Sequence, residues 1–182
     1  TLAIFKYLEF LSRVKRGNKM KYKKEQYIWA FLRLGMGLIF LWAFFDKVFG
    51  LGFSTSPDKA WLLGNSPTLG FLKFGTHGPF ASFYQGIAGN VFVDWLFMLG
   101  LLLIGLSLVL GIGVKIAGYS GALMLFLMWA ALLPPANHPF LDEHIIYLIV
   151  MIGLAAVKFG HWLGLGKLWC KTELVKKYKF LE

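Results

Sequence analysis

Four runs of apolar residues alternate along the chain with shorter stretches in which polar residues collect. The runs cover about 27–49, 91–111, 116–133 and 145–160. Within each, apolar residues follow one another around the whole helical circumference instead of recurring on one face. That excludes one-sided helices lying on a water-exposed core. The first run has 23 residues, against ~20 needed to cross ~30 Å of hydrocarbon. The pattern predicts an all-α integral membrane protein: a four-transmembrane-helix bundle spanning 27–163, with an outer loop at 50–90.

The polar positions inside the runs refine this picture. At 100° per residue Arg33, Gly37, Phe40, Phe44 and Lys47 fall near one line, with the two cations ~21 Å apart along the axis. That stripe is expected to face protein, and Arg33 is assigned a structural or interaction role. Asp94 and Trp95 open the second run, where Gly100 and Gly105 permit close helix approach. Gly118 and Ala122 form a similar small-residue pair in the third. In the outer loop, SPDKAW and SPTLGFL each read as a helix start, with Ser56 or Ser66 as cap and Pro57 or Pro67 at the first position. Short surface helices are therefore expected there.

Composition agrees with the pattern. The chain is 58% hydrophobic, 18% aromatic and only 15% charged, whereas soluble domains carry about a quarter charged residues. A net charge of +10 raises the question of nucleic acid. The basic residues lie at the two ends of the chain, however, outside the apolar runs, and no nucleic-acid partner is expected. Residues 1–24 hold eight of the nineteen Lys and Arg, and the end from Lys158 onward holds six. The two outer connections have only Lys59 and Lys73. This bias places both termini in the cytoplasm of a multi-pass cell-membrane protein, with 164–182 as a basic cytoplasmic tail. Residues 1–26 suit an amphipathic helix on the inner membrane surface, with a frayed basic tail as the competing reading. A secretory signal fits poorly, because its charges precede its apolar core. Cys170 is the only cysteine, which excludes an internal disulfide and Cys-rich metal sites.

The densest polar cluster is LLPPANHPFLDEHIIYL, where His138, Asp142, Glu143 and His144 precede the fourth run. With Asp46 and Lys47 ending the first span and Asp94 opening the second, three spans bring ionisable groups to one membrane face. Such groups are costly beside lipid unless paired, wet or used. Metal binding through His138, Asp142 and His144 is one chemistry to weigh, but no HExxH or Glu-x-x-His pair is present, and acidic residues also suit a helix start. No metal is predicted. Haem is also set aside, because His144 and His161 stand ~25 Å apart on one helix. Quinone binding asks for an apolar aromatic crevice with a few polar groups. Phe40, Trp42, Phe44, Trp95, Trp129 and Tyr147 supply candidate walls, and Asp46, Asp94 or His144 a proton relay. Ser/His/Asp arrangements and glycine-rich phosphate loops are not visible.

RLGMGLIFLWAFFDKVFG, with Arg33, its glycines and Lys47, resembles the start of DoxX-like membrane proteins. SPTLGFLKFGTHGPFASFYQGIAGN, VDWLFMLGLLLIGLSLVLGIG and ANHPFLDEHIIYLIVMIGLA resemble the DoxD-type branch, described as the hydrophobic subunit of a thiosulfate:quinone oxidoreductase. The resemblance covers about 27–169. It implies a four-helix subunit that joins a partner membrane subunit and passes electrons from thiosulfate, coupled to tetrathionate, into the quinone pool. Charge and placement then give the candidate residues. Asp46, Lys47, Asp94, Asp142 and His144 are the catalytic candidates. Lys47, Lys59, Lys73, Trp95, Trp129 and Tyr147 are the substrate-binding ones. The alternative is a non-catalytic membrane anchor or assembly subunit of a larger complex. A small-anion transporter fits less well, since no inverted repeat is present.

Overall fold

The computed structural model describes residues 23–157 and 159–181, and throughout these residues the secondary structure is helical. The principal helices are α1 (Lys24–Phe49), α3 (Val91–Leu110), α4 (Val114–Ala131) and α5 (Glu143–Ala156). A short helix α2 (Ala81–Gly86) lies in the long connection, and α6 (Gly166–Trp169) and α7 (Glu173–Lys177) lie in the tail. The amphipathic helix expected within residues 1–26 falls, up to residue 22, outside the described residues.

Helices α1, α3 and α4 are long and apolar enough to cross a membrane. The fourth run is apolar but forms a helix of only 14 residues, about 21 Å at 1.5 Å per residue. It ends earlier than the apolar run does. Val157 turns extended, and a 3-10 turn at Phe159–His161 leads the chain beneath the bundle.

The four helices pack in chain order, α1 on α3, α3 on α4 and α4 on α5, with α5 touching α1. Glycines set the closest approaches. A Cβ at Gly37 would lie 3.0 Å from the Leu108 Cβ, and one at Gly105 would lie 2.7 Å from Leu41 Cγ. α1 and α3 therefore run antiparallel with backbones nearly in contact. Gly118 packs likewise on α5, where a Cβ would lie 2.7 Å from that of Ala155. Between the helices Met36, Phe40, Met98, Ile104, Leu108, Met151 and Leu154 form the main core. Large apolar side chains such as Leu38, Leu96, Leu103, Leu123 and Ile149 point outward. Arrangement around a small interior with an apolar exterior is what lipid as solvent would favour.

This packing gives the bundle two chemically different ends. The tail end collects the start of α1, the α3–α4 turn and the chain after α5. The loop end collects the end of α1, the start of α3, the end of α4 and the start of α5.

Arg33 organises the tail end. It is fully buried and sends its guanidinium across to α3, donating to the carbonyls of Leu108 and Val109 and to those of Trp162 and Leu163. Its Nε is the only buried side-chain polar atom lacking a hydrogen-bond partner among the described residues. At the loop end the 50–90 connection forms short turns. 3-10 turns occupy Pro57–Lys59 and Trp61–Leu63, and a π turn occupies Phe71–Gly75. Pro57 takes the first position as expected, but the Ser56 side chain does not cap that turn. Its hydroxyl instead bonds the neighbouring Asp58 carboxylate, which holds that exposed group below the ordinary carboxylate range.

Candidate functional site

Asp46, Asp94 and Asp142 all lie at the loop end of the bundle, and each carboxylate has its own partners. Asp46 is buried. It accepts from the Phe53 N–H at 3.2 Å, the Ser54 N–H at 3.0 Å and the Ser54 hydroxyl at 2.7 Å. Its own carbonyl accepts from Gly50, which closes the helix in the left-handed region at φ 64°. Asp94, also buried, accepts from the Ser66 hydroxyl at 2.9 Å and from the Thr68 N–H and hydroxyl. These two carboxylates tie the first and second parts of the long loop to α1 and α3. Among the described residues neither hydrogen-bonds the other, nor Asp142.

Asp142 and His144 are arranged differently. Asp142 is the N-cap of α5: its Oδ1 accepts from the Ile145 N–H at 3.2 Å, while its Oδ2 meets His144 Nδ1 at 2.9 Å. Both side chains are only about a tenth exposed, at 11% and 12%. Oδ1 is taken by the cap and Oδ2, a carboxylate oxygen, accepts, so His144 donates through Nδ1 and its Nε2 is left for other partners. Asp142, Glu143 and His144 each present a ligand-type atom within 4.8 Å of the others. His138 does not complete that set through Nδ1, which accepts from the Phe140 and Leu141 N–H groups.

Beside this pair lies a cavity of about 350 Å³ lined by His77, Asn137, Asp142 and Glu143 with the apolar Leu132 and Leu141. His77 reaches it from the other outer connection. Its Nε2 lies 3.0 Å from the Pro134 carbonyl oxygen, and its backbone N–H donates to the carbonyl of Ala131. Gly78 makes this junction possible. It stands at φ 76°, and a Cβ there would overlap the Leu133 carbonyl oxygen. Tyr84 adds a second tie by donating to the Leu127 carbonyl at 2.8 Å, and burial holds its phenol above the usual range.

The remaining expected residues are spread around this end. Lys47 is half-buried beside Asp46, while Lys59 and Lys73 are exposed, the latter 5.7 Å from the Phe74 ring centroid. Trp95 packs edge-on against Trp61 at 4.8 Å. Trp129 donates through Nε1 to the Phe140 carbonyl and so holds the loop over the end of α4. Tyr147 packs against the main core. The cavity thus brings together Asp142, with its partner His144, and Glu143 of the same polar cluster with two residues that the sequence does not mark as site residues, His77 and Asn137. Nothing in their spacing marks His77 as a neighbour of the Pro134 turn, which lies 57 positions away.

A second cavity, of about 370 Å³, opens at the tail end between α4, the end of α5 and the tail. Lys115, Tyr119, His161, Trp169 and Cys170 lie on its walls, and His161 Nε2 is 3.2 Å from Cys170 Sγ. No family model, curated protein or solved structure matches the chain.

Proposed function

We propose that the chain is a four-span membrane protein with both ends in the cytoplasm, serving as the membrane subunit of a quinone-linked oxidoreductase. In this reading the loop end faces outward and the fourth span is completed by the turns flanking α5. The asymmetry of Lys and Arg supports that orientation. The observation that carries the function is the Asp142–His144 pair beside the loop-end cavity. Reduction of a quinone takes two electrons and two protons, and a histidine oriented by a carboxylate at the membrane boundary supplies a proton route. The resemblance to DoxD-type proteins points to thiosulfate as donor: two thiosulfates couple to tetrathionate and release the two electrons. Lys47, Lys59 and Lys73 lie at the same end as candidate attractors for the anion. A partner membrane subunit is part of the proposal.

The non-catalytic anchor is the second reading. It is favoured by Asp46 and Asp94, whose carboxylates are engaged by loop donors, Asp46 through both oxygens and Asp94 through Oδ1. Membranes containing the chain, alone and with co-expressed neighbouring subunits, separate the two. Thiosulfate-dependent reduction of a short-chain quinone that falls in His144→Ala supports the enzymatic subunit. Its absence from every preparation leaves the anchor.

A further inference from the structure

We infer that the tail-end cavity is a headgroup site for an anionic phospholipid of the cytoplasmic leaflet. The inference rests on the membrane reading proposed above but not on the quinone chemistry. The cavity has the mixed polar and apolar lining of a lipid boundary. Its lining joins Lys115, Tyr119, His161 and Trp169 with the apolar Val114, Ala155 and Val157. Lys115 is exposed in the first turn of α4, where the positive end of the helix dipole adds to its charge. No side chain caps that helix start.

The surroundings favour a lipid over a free anion. One helical turn beyond Lys115 stands the half-exposed Tyr119, and along the same sides of α4 and α5 Leu123 and Ile152 remain exposed, a path for an acyl chain. Beside the opening the tail is folded rather than trailing. Val175 is buried, and Trp169 Nε1 donates to the Leu181 carbonyl at 2.7 Å. From this platform Lys171, Lys177 and Lys179 project with the exposed Leu174, Tyr178 and Phe180, while Lys176 pairs with Glu173 at 2.6 Å. Lysines interleaved with aromatic and aliphatic side chains match a negatively charged headgroup layer with its acyl boundary. A phosphate diester with its glycerol seated at Lys115, its chains against α4 and α5, uses both the polar and the apolar lining of the cavity.

The test uses the full chain purified in neutral detergent, with phosphatidylglycerol, phosphatidylcholine and inorganic phosphate as probes. Binding is read by native mass spectrometry and by the rate at which N-ethylmaleimide alkylates Cys170, the single cysteine, on the cavity wall. Phosphatidylglycerol is expected to bind more tightly than phosphatidylcholine and to slow alkylation. Lys115→Gln should weaken phosphatidylglycerol binding about fivefold, the equivalent of ~1 kcal/mol per basic residue near an anionic surface, and Lys115→Arg should restore it. Equal binding of the two lipids, or a Lys115→Gln variant that binds as the parent does, overturns the inference. Protection of Cys170 by inorganic phosphate equal to that by the lipid overturns the lipid as occupant. Carbonate washing separates the underlying reading. A chain that stays in washed membranes yet shows no lipid preference sinks the headgroup site alone, whereas a chain released by carbonate sinks both.

Discussion

The guanidinium of Arg33 on α1 donates to the carbonyl oxygen of Leu108 near the end of α3, 75 positions later. A helix ends with four carbonyls lacking intrahelical partners, and at α3 all four are met. Ser107 is bonded by Gly111 and Ile112, Leu108 and Val109 by Arg33, and Leu110 by Leu165. The same guanidinium holds Trp162 and Leu163, so one cation fastens α1, α3 and the chain after α5 together. The negative end of the helix dipole supplies compensation, although no carboxylate among the described residues pairs with Arg33. Arg33→Met leaves these buried carbonyls without donors, at about 1–3 kcal/mol for each group not rescued by water. The unfolding midpoint in detergent is expected to fall sharply, with Arg33→Lys intermediate because an ammonium lacks the planar fork. A Met variant as stable as the parent would show that the cradle contributes nothing.

Asp46 and Asp94 hold separate parts of the loop and share no hydrogen-bond partner. Asp46 accepts through both oxygens, so an asparagine there turns an NH2 group toward one set of donors, whereas all three bonds to Asp94 end on Oδ1 and only removal of that oxygen breaks them. Asp46→Asn and Asp94→Ala should each lose about 1–3 kcal/mol of stability, and the double variant close to their sum. Activity per folded molecule should be unchanged in both. A loss of turnover with full stability would return these carboxylates to the reaction.

The apolar runs made the three long helices legible in the sequence, because in a helix surrounded by apolar solvent nearly every position carries the signal. The fourth helix was overextended for a reason local composition does not contain. It stops where Val157 turns extended, and the chain beyond is held by Arg33, which donates to the carbonyls of Trp162 and Leu163, and by the Leu165 N–H bonding Leu110. The stripe through Arg33, Gly37 and Phe40 was readable as protein-facing, yet the acceptors it serves were not. Likewise the gathering of Asp46, Asp94 and Asp142 at one end follows from helix parity alone. Their division into two loop ties and one cap depends on where Ser54, Ser66 and Thr68 fold back. His161 and Cys170 are nine positions apart and meet only because the tail turns twice.

Gly78 gives a separate test of how the loop-end cavity is built. It sits at φ 76° against the Leu133 carbonyl, a conformation unfavourable for any residue with a Cβ. Gly78→Ala should displace the His77 segment from the Pro134 turn at a cost of about 1–3 kcal/mol. Hydrogen exchange should report it, with faster exchange at the His77 N–H, which donates to Ala131. Unchanged protection there would mean that the junction tolerates the strain without opening.

The Asp142–His144 pair allows folding and function to be separated by conservative changes. Asparagine caps helices about as well as aspartate, so Asp142→Asn keeps the bond to the Ile145 N–H while removing the charge beside His144. Membrane insertion and the unfolding midpoint should therefore stay close to those of the parent. Quinone reduction should fall by about 10²-fold, the lower range for loss of a positioned acid or base, and His144→Ala should fall at least as far. Asp142→Ala supplies the contrast: it loses the cap as well, at about 1 kcal/mol, and should be less stable than Asp142→Asn but no less active per folded molecule. If Asp142→Asn instead reduced accumulation as much as Asp142→Ala while sparing turnover, the pair would be a helix start and nothing more, and the anchor reading would gain.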